Sequence, residues 1–223
     1  MIRDNLDTIR KQLPPEVQLV AVSKFHPLEA IREAYAAGQR VFAESRPQEL
    51  AAKAAELAAA GDCPEIEWQF IGHLQTNKLK LVLPYVSLVQ SVDSLHLLKA
   101  VNDWGRAAGK RIPVLLELHI AAEESKQGFF EEDALEVLFR AEEYGNVVFR
   151  GLMGMATLTE DRDVVSADFG RIRAFFDYLR GLFPEYGDFN QLSIGMSDDF
   201  PVALQHGTTM VRIGTAIFGP REY

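Results

Sequence analysis

Apolar residues along this chain gather into short, nearly continuous runs: VQLVAV (17–22), RVFAE (40–44), EWQFIG (67–72), VSLVQSV (86–92), VLLELHI (114–120), FRGLMGMA (149–156), NQLSIGM (190–196) and MVRIGTAIFG (210–219). Their lengths suit strands, and continuity rather than alternation suits parallel strands covered on both faces. Between them the apolar spacing becomes helical, over 28–38, 47–61, 94–109, 131–145 and 168–183. Several of these helices close on glycine, which tolerates the left-handed C-terminal residue. NKLKLVLPY holds one brief helix, and SDDFPVALQHG (197–207) forms a compact last crossover. Ahead of the first strand, Ile2, Leu6, Ile9 and Leu13 share one face of an amphipathic helix.

Eight strands alternating with helices, with no linker or shift in composition, predict an α/β fold: a single (β/α)8 TIM barrel over residues 1–223, preceded by an extra N-terminal helix. The competitor is an open doubly wound sheet. That fold usually carries a glycine-rich fingerprint after its first strand, and VSKFHP has none.

Composition narrows the partners. With 48% hydrophobic and 25% charged residues among 223, the profile is that of an ordinary globular protein. The net charge of −9 argues against nucleic acid, which recruits basic surfaces. The lone Cys63 cannot close an internal disulfide and has no metal-ligand spacing around it, so a cytoplasmic home is expected. No apolar run approaches the roughly 18 residues of a membrane span, and the N-terminus lacks a signal-peptide core.

Candidate chemistry starts at LVAVSKFHP, where a buried strand runs straight into Ser23 and Lys24. Lysine is rarely buried unpaired, so Lys24 either snorkels to water or is held for chemistry. In a barrel, active groups collect where strands end, with phosphate sites favoured after strands seven and eight. There the chain reads SIGMS and RIGT: Ser193, Gly195, Met196 and Ser197, then Arg212, Gly214 and Thr215. Hydroxyls, glycines and a cation on adjacent strands make a plausible phosphate clamp, and the start of a short helix at Asp198 adds to it. Each feature has a plainer reading. Serine and glycine often just cap a helix, Arg212 could pair with Glu44 or Glu117 inside the protein, and His73 and His119 could satisfy core hydrogen bonds. Met153, Met155 and Met196 read as pocket lining or core filler. A strand-end lysine facing a phosphate clamp nonetheless suits a phosphorylated carbonyl ligand bound through the lysine nitrogen.

With LVAVSK, PLEAIREAYAAGQRVFAES, WQFIGHLQTNK, ESKQGF, RGLMGMAT, LSIGMSDDFPVALQHG and VRIGTAIFG in order, the chain resembles the YggS/PROSC family of pyridoxal phosphate-binding proteins. The resemblance implies a barrel like the N-terminal domain of alanine racemase, with pyridoxal 5′-phosphate (PLP) as a covalent imine on Lys24. It implies that Ser193, the backbone of Gly195 and Met196, Gly214 and Thr215 hold the phosphate, and that Arg212 lies against the pyridine nitrogen. The implied role is cellular PLP homeostasis without a dedicated reaction, PLP-dependent apo-enzymes being the candidate recipients and a monomer the expected state. One departure stands out: where the family usually reads Phe-Gly-Glu-Asn-Tyr, this chain has FAESR, with Ala43, Ser45 and Arg46.

Chemistry gives a reason for missing activity. PLP is the better electron sink when its ring nitrogen is protonated, and an arginine beside that nitrogen disfavours the proton. Nothing after strand eight is long enough for the second domain that supplies a racemase's other base, so an open, one-sided site is expected. The runner-up is a fold-type III PLP enzyme, a racemase or decarboxylase, with His73, His119 or a residue of another subunit as the further acid or base. A class I aldolase-like barrel stands third.

Overall fold

The computed structural model describes residues 1–123 and 127–220. Residues 124–126, part of the ESKQGF segment, and 221–223 lie outside the described residues.

Eight parallel strands close into a barrel in chain order, β1 (Gln18–Val22), β2 (Val41–Glu44), β3 (Glu67–Phe70), β4 (Val86–Val92), β5 (Ile112–Leu118), β6 (Val147–Gly154), β7 (Gln191–Met196) and β8 (Met210–Ile213). β8 returns to β1 with Val20 beside Arg212, which sets the register of the mouth. The closed ring rules out the open doubly wound sheet.

Alternate strand residues serve two cores, as a two-residue period demands. Val20, Val22, Val41, Ala43, Leu88, Leu115, Met153 and Met210 fill the barrel interior. Leu19, Ala21, Phe42 and Val114 instead face the outer helices in a much larger cluster. Those helices are α2 (Leu28–Ala36), α3 (Pro47–Ala60), α4 (Leu79–Val82), α5 (Leu95–Ala108), α6 (Glu131–Phe139), α7 (Arg162–Leu182), α8 (Phe200–Gln205) and α9 (Thr215–Phe218), while α1 (Ile2–Arg10) precedes the barrel. α1 buries Ile2, Leu6 and Ile9, and Asn5 Nδ2 donates to the Ile217 carbonyl at 2.9 Å, fixing it across α9. Among the described residues no helix is long and apolar enough to cross a membrane.

Several boundaries differ from the sequence expectation. The last apolar run is strand only to Ile213; after Gly214 the segment TAIF turns into α9, burying Ile217. A short apolar run does not by itself distinguish strand from buried helix. α7 starts at Arg162, six residues before the expected 168, because the Asp161 side chain accepts from the Asp163 N–H at 2.9 Å and caps the helix there. α1 stops at Arg10, leaving Leu13 packed on the core beyond it. The residue before a proline avoids helical geometry, and Pro14 follows Leu13.

Candidate functional site

At the mouth of the barrel, past the C-terminal ends of the strands, a cavity of about 280 Å³ lies among groups from β1, β3, β6, β7 and β8. β1 delivers Val22, Lys24 and His26, and β8 delivers Arg212, Gly214 and Thr215. Ile71, Met153 and Met155 supply apolar walls, and the turn after β7 brings Met196, Ser197 and Asp198. Its size lies just below the roughly 300–1,000 Å³ usual for small-molecule sites.

Lys24 reaches the cavity through an unusual backbone. The strand ends at Val22, and Phe25, immediately after the lysine, has φ 67°. A non-glycine residue there is uncommon and needs support from its surroundings. The Arg46 guanidinium lies 4.3 Å over the Phe25 ring, and the Phe25 N–H donates to Glu49 Oε1 at 2.7 Å.

Arg212 is buried by its position in the strand: it faces inward two residues beyond Met210. Its Nη1 donates to the Ser193 carbonyl at 2.8 Å and to Ser193 Oγ at 2.7 Å, and its Nη2 donates to the Gly154 carbonyl at 3.0 Å. Ser193 Oγ donates to Gln90 Oε1 at 2.6 Å, and Gln90 Nε2 donates to Gln69 Oε1 at 2.5 Å. A polar chain thus crosses the interior from β3 to β8 and fixes the guanidinium plane. Burial pulls the Arg212 pKa down to about 10, opposed by the negative charges of Glu117 and Asp199. Arg212 therefore stays cationic at neutral pH. Burial pushes Glu117 up to about 7, reinforced by Asp93 and opposed by Arg212.

The structure brings five of the seven expected residues to the cavity wall: Lys24, Met196, Arg212, Gly214 and Thr215. Ser193 and Gly195 lie behind it. The Ser193 hydroxyl is fully buried and committed to Arg212 and Gln90, because Ser193 pairs with Met210, one layer below the mouth. Gly195 has φ 96°, and a Cβ there would sit 2.6 Å from Ala203 Cβ, so this glycine lets α8 pack closely on β7. The Met196 N–H donates to Asp199 Oδ1, and Met196 is one of the cavity residues. Ser197, the residue immediately after β7, is the serine on the cavity wall. At Gly214 a Cβ would meet the Val22 carbonyl oxygen at 3.2 Å, crowding the wall.

His73 and His119 do not line the cavity. His73 Nδ1 lies 2.9 Å from Asp93 Oδ2, and the His119 ring stands against Phe130 with centroids 5.6 Å apart. The histidine at the cavity is His26, stacked on Phe218 at 5.0 Å. Sequence reasoning passed over it, although its place two residues after Lys24 was the available signal. Glu44, one suggested partner of Arg212, is bound instead by Lys53 at 2.8 Å. None of Ala43, Ser45 and Arg46 is a cavity residue: Ala43 fills the interior and Arg46 covers Phe25.

Residues 1–222 match the family described as alanine racemase, N-terminal domain. A pyridoxal phosphate homeostasis protein of Vibrio alginolyticus is 36% identical, covering 100% of this chain and 98% of its own. The human protein of that name is 37% identical over 94% of this chain and 79% of its own. Among solved structures, PipY of Synechococcus elongatus PCC7942 with PLP bound aligns with a TM-score of 0.89 at 37% identity, covering 98% of this chain and 100% of its own. Alanine racemase of Clostridium difficile 630 aligns at a TM-score of 0.74 and 14% identity, covering 100% of this chain and 57% of its own, a likeness of fold.

Proposed function

The chain belongs to the alanine racemase N-terminal domain family, in its YggS/PROSC branch of pyridoxal phosphate homeostasis proteins, and from that premise we propose that it binds PLP covalently on Lys24 and holds it for delivery rather than for catalysis. The observation that carries this reading is the cavity at the barrel mouth, where one lysine, one buried arginine and two hydroxyls meet beside a glycine.

These residues fit the cofactor. Lys24 would hold the aldehyde carbon of PLP through a carbon–nitrogen double bond, the carbonyl oxygen being lost as water with both amine protons. Ser197 and Thr215 donate hydroxyl hydrogen bonds to the phosphate, and Gly214 lets the main chain approach it closely. Charge-assisted bonds of this type each contribute about 1.5–3 kcal/mol. Ser193 and Gly195 act one layer back, Ser193 by orienting Arg212 and Gly195 by seating α8. Met196, Met153 and Met155 give the ring an adaptable apolar wall.

When bound, PLP supplies an electron sink for carbanions, strongest with a protonated ring nitrogen. Arg212, cationic and fixed by three hydrogen bonds, disfavours a proton on a nitrogen facing it. A site that binds the aldehyde firmly and supports carbanions poorly suits a reservoir. We place the protein in the cytoplasm as a monomeric, single-domain barrel over 1–223, passing PLP to apo-enzymes. Its net charge of −9 suits protein partners better than nucleic acid.

The experiment mixes native protein and Lys24→Ala with PLP, reads the near-visible band, and then follows α-proton exchange of several amino acids in heavy water. A band in native protein only, with very slow exchange, is expected. Fast exchange and racemisation by the native protein would promote the runner-up, a fold-type III enzyme.

A further inference from the structure

Lys24 is flanked by two backbone groups, the Ser23 carbonyl before it and the Phe25 N–H after it, and one cluster of charged side chains takes both. Lys53 Nζ donates to the Ser23 carbonyl at 2.8 Å, to Glu44 Oε1 at 2.8 Å and to Glu49 Oε1 at 2.7 Å. Glu49 Oε1 also accepts from the Phe25 N–H, and Glu44 Oε1 accepts from Ser23 Oγ, both at 2.7 Å. Glu44 is fully buried at the end of β2, and Lys53 is 8% exposed. Glu49 and Lys53 stand four residues apart on α3 and so share one face of the helix.

Such a cluster is costly to bury and is weak support for stability as such. Its geometry gives it another use. Phe25 holds φ 67°, a conformation that persists only where its surroundings over-determine it, and that turn aims the Lys24 side chain into the cavity. We propose that Glu49 and Lys53, with Glu44 beneath them, are positioning residues that hold the 23–25 turn so that the Lys24 amine meets its carbonyl partner. This rests on the assignment of Lys24 as the PLP attachment site.

The test uses the native chain, Glu49→Ala and Glu49→Gln. It measures hydrogen exchange of the Phe25 amide without cofactor and the rate at which the near-visible band appears with PLP. In Glu49→Ala the Phe25 amide should exchange about tenfold faster and the band should form about tenfold slower, the equivalent of one charge-assisted hydrogen bond. Exchange of buried β5 amides such as Leu115 should stay native, which separates a local turn from global unfolding. Glu49→Gln keeps an acceptor and should recover most of both rates. Should Glu49→Ala not fold, Glu49→Gln carries the test, because its weaker neutral acceptor should shift both rates together by about threefold. Faster Phe25 exchange with a native rate of PLP reaction would overturn the proposal and leave the cluster a mere staple of α3. A native protein that forms no band, or forms it on another lysine, would refute the Lys24 assignment, and the native arm shows this directly.

Discussion

Glu117 sits on β5 inside the barrel, 6% exposed, with Asp93 and Arg212 as its charged neighbours. Burial raises its carboxyl from the ordinary 4.5 to about 7, with Asp93 reinforcing the shift and Arg212 opposing it. A raised carboxyl pKa means that the folded state favours the protonated form. The stability it contributes is complete below pH 4.5 and is lost as pH rises through 7. Glu117→Gln fixes the neutral form. Raising the carboxyl from 4.5 to about 7 corresponds to roughly 3 kcal/mol, of which about 1 is already expressed at pH 5. The variant should therefore gain roughly 2 kcal/mol on the native protein between pH 5 and pH 8.5. Urea unfolding of both proteins without PLP at the two pH values gives the difference of differences, in which background titrations shared by both proteins cancel. A stability gap independent of pH, or one that moves against the variant at high pH, would refute the argument for a carboxyl kept neutral by burial.

Other outcomes follow from the same geometry. Ser197→Ala and Thr215→Val should each weaken binding of PLP more than that of pyridoxal, whereas Ser193→Ala, acting through Arg212, should weaken both alike; paired titrations of the two ligands distinguish them. Gly151→Ala should cost about 3–5 kcal/mol in urea unfolding, because Gly151 has φ 147° and a Cβ would fall against the Gln191 carbonyl across β6 and β7. A loss under 1 kcal/mol there would mean the two strands separate easily.

Much of this architecture was legible in the sequence. Eight continuous apolar runs separated by helical spacing, with no glycine-rich fingerprint after the first, favoured a barrel over an open sheet, and a lysine ending the first run marked the mouth. Which serine reaches the cavity was harder to read. Ser193 and Ser197 share the short segment SIGMS, and only the pairing of Ser193 with Met210 puts the first a layer too deep. His26 and Ile71 enter the cavity through side-chain directions at the ends of β1 and β3, which a run of apolar residues does not encode. Glu49 and Lys53 look like a common surface pair four residues apart; their hydrogen bonds to the 23–25 turn come from how α3 docks on β1 and β2. The run ending in TAIF lacked any period that would separate strand from helix.

The central claim is that Lys24 carries the cofactor. Borohydride reduction of the PLP-loaded native protein, followed by proteolysis and mass mapping, tests it most directly. One reduced phosphopyridoxyl group per chain is expected on the Lys24 peptide, lost in Lys24→Ala. A label on Lys53, Lys78 or Lys126 in its place, or none on Lys24, would contradict it.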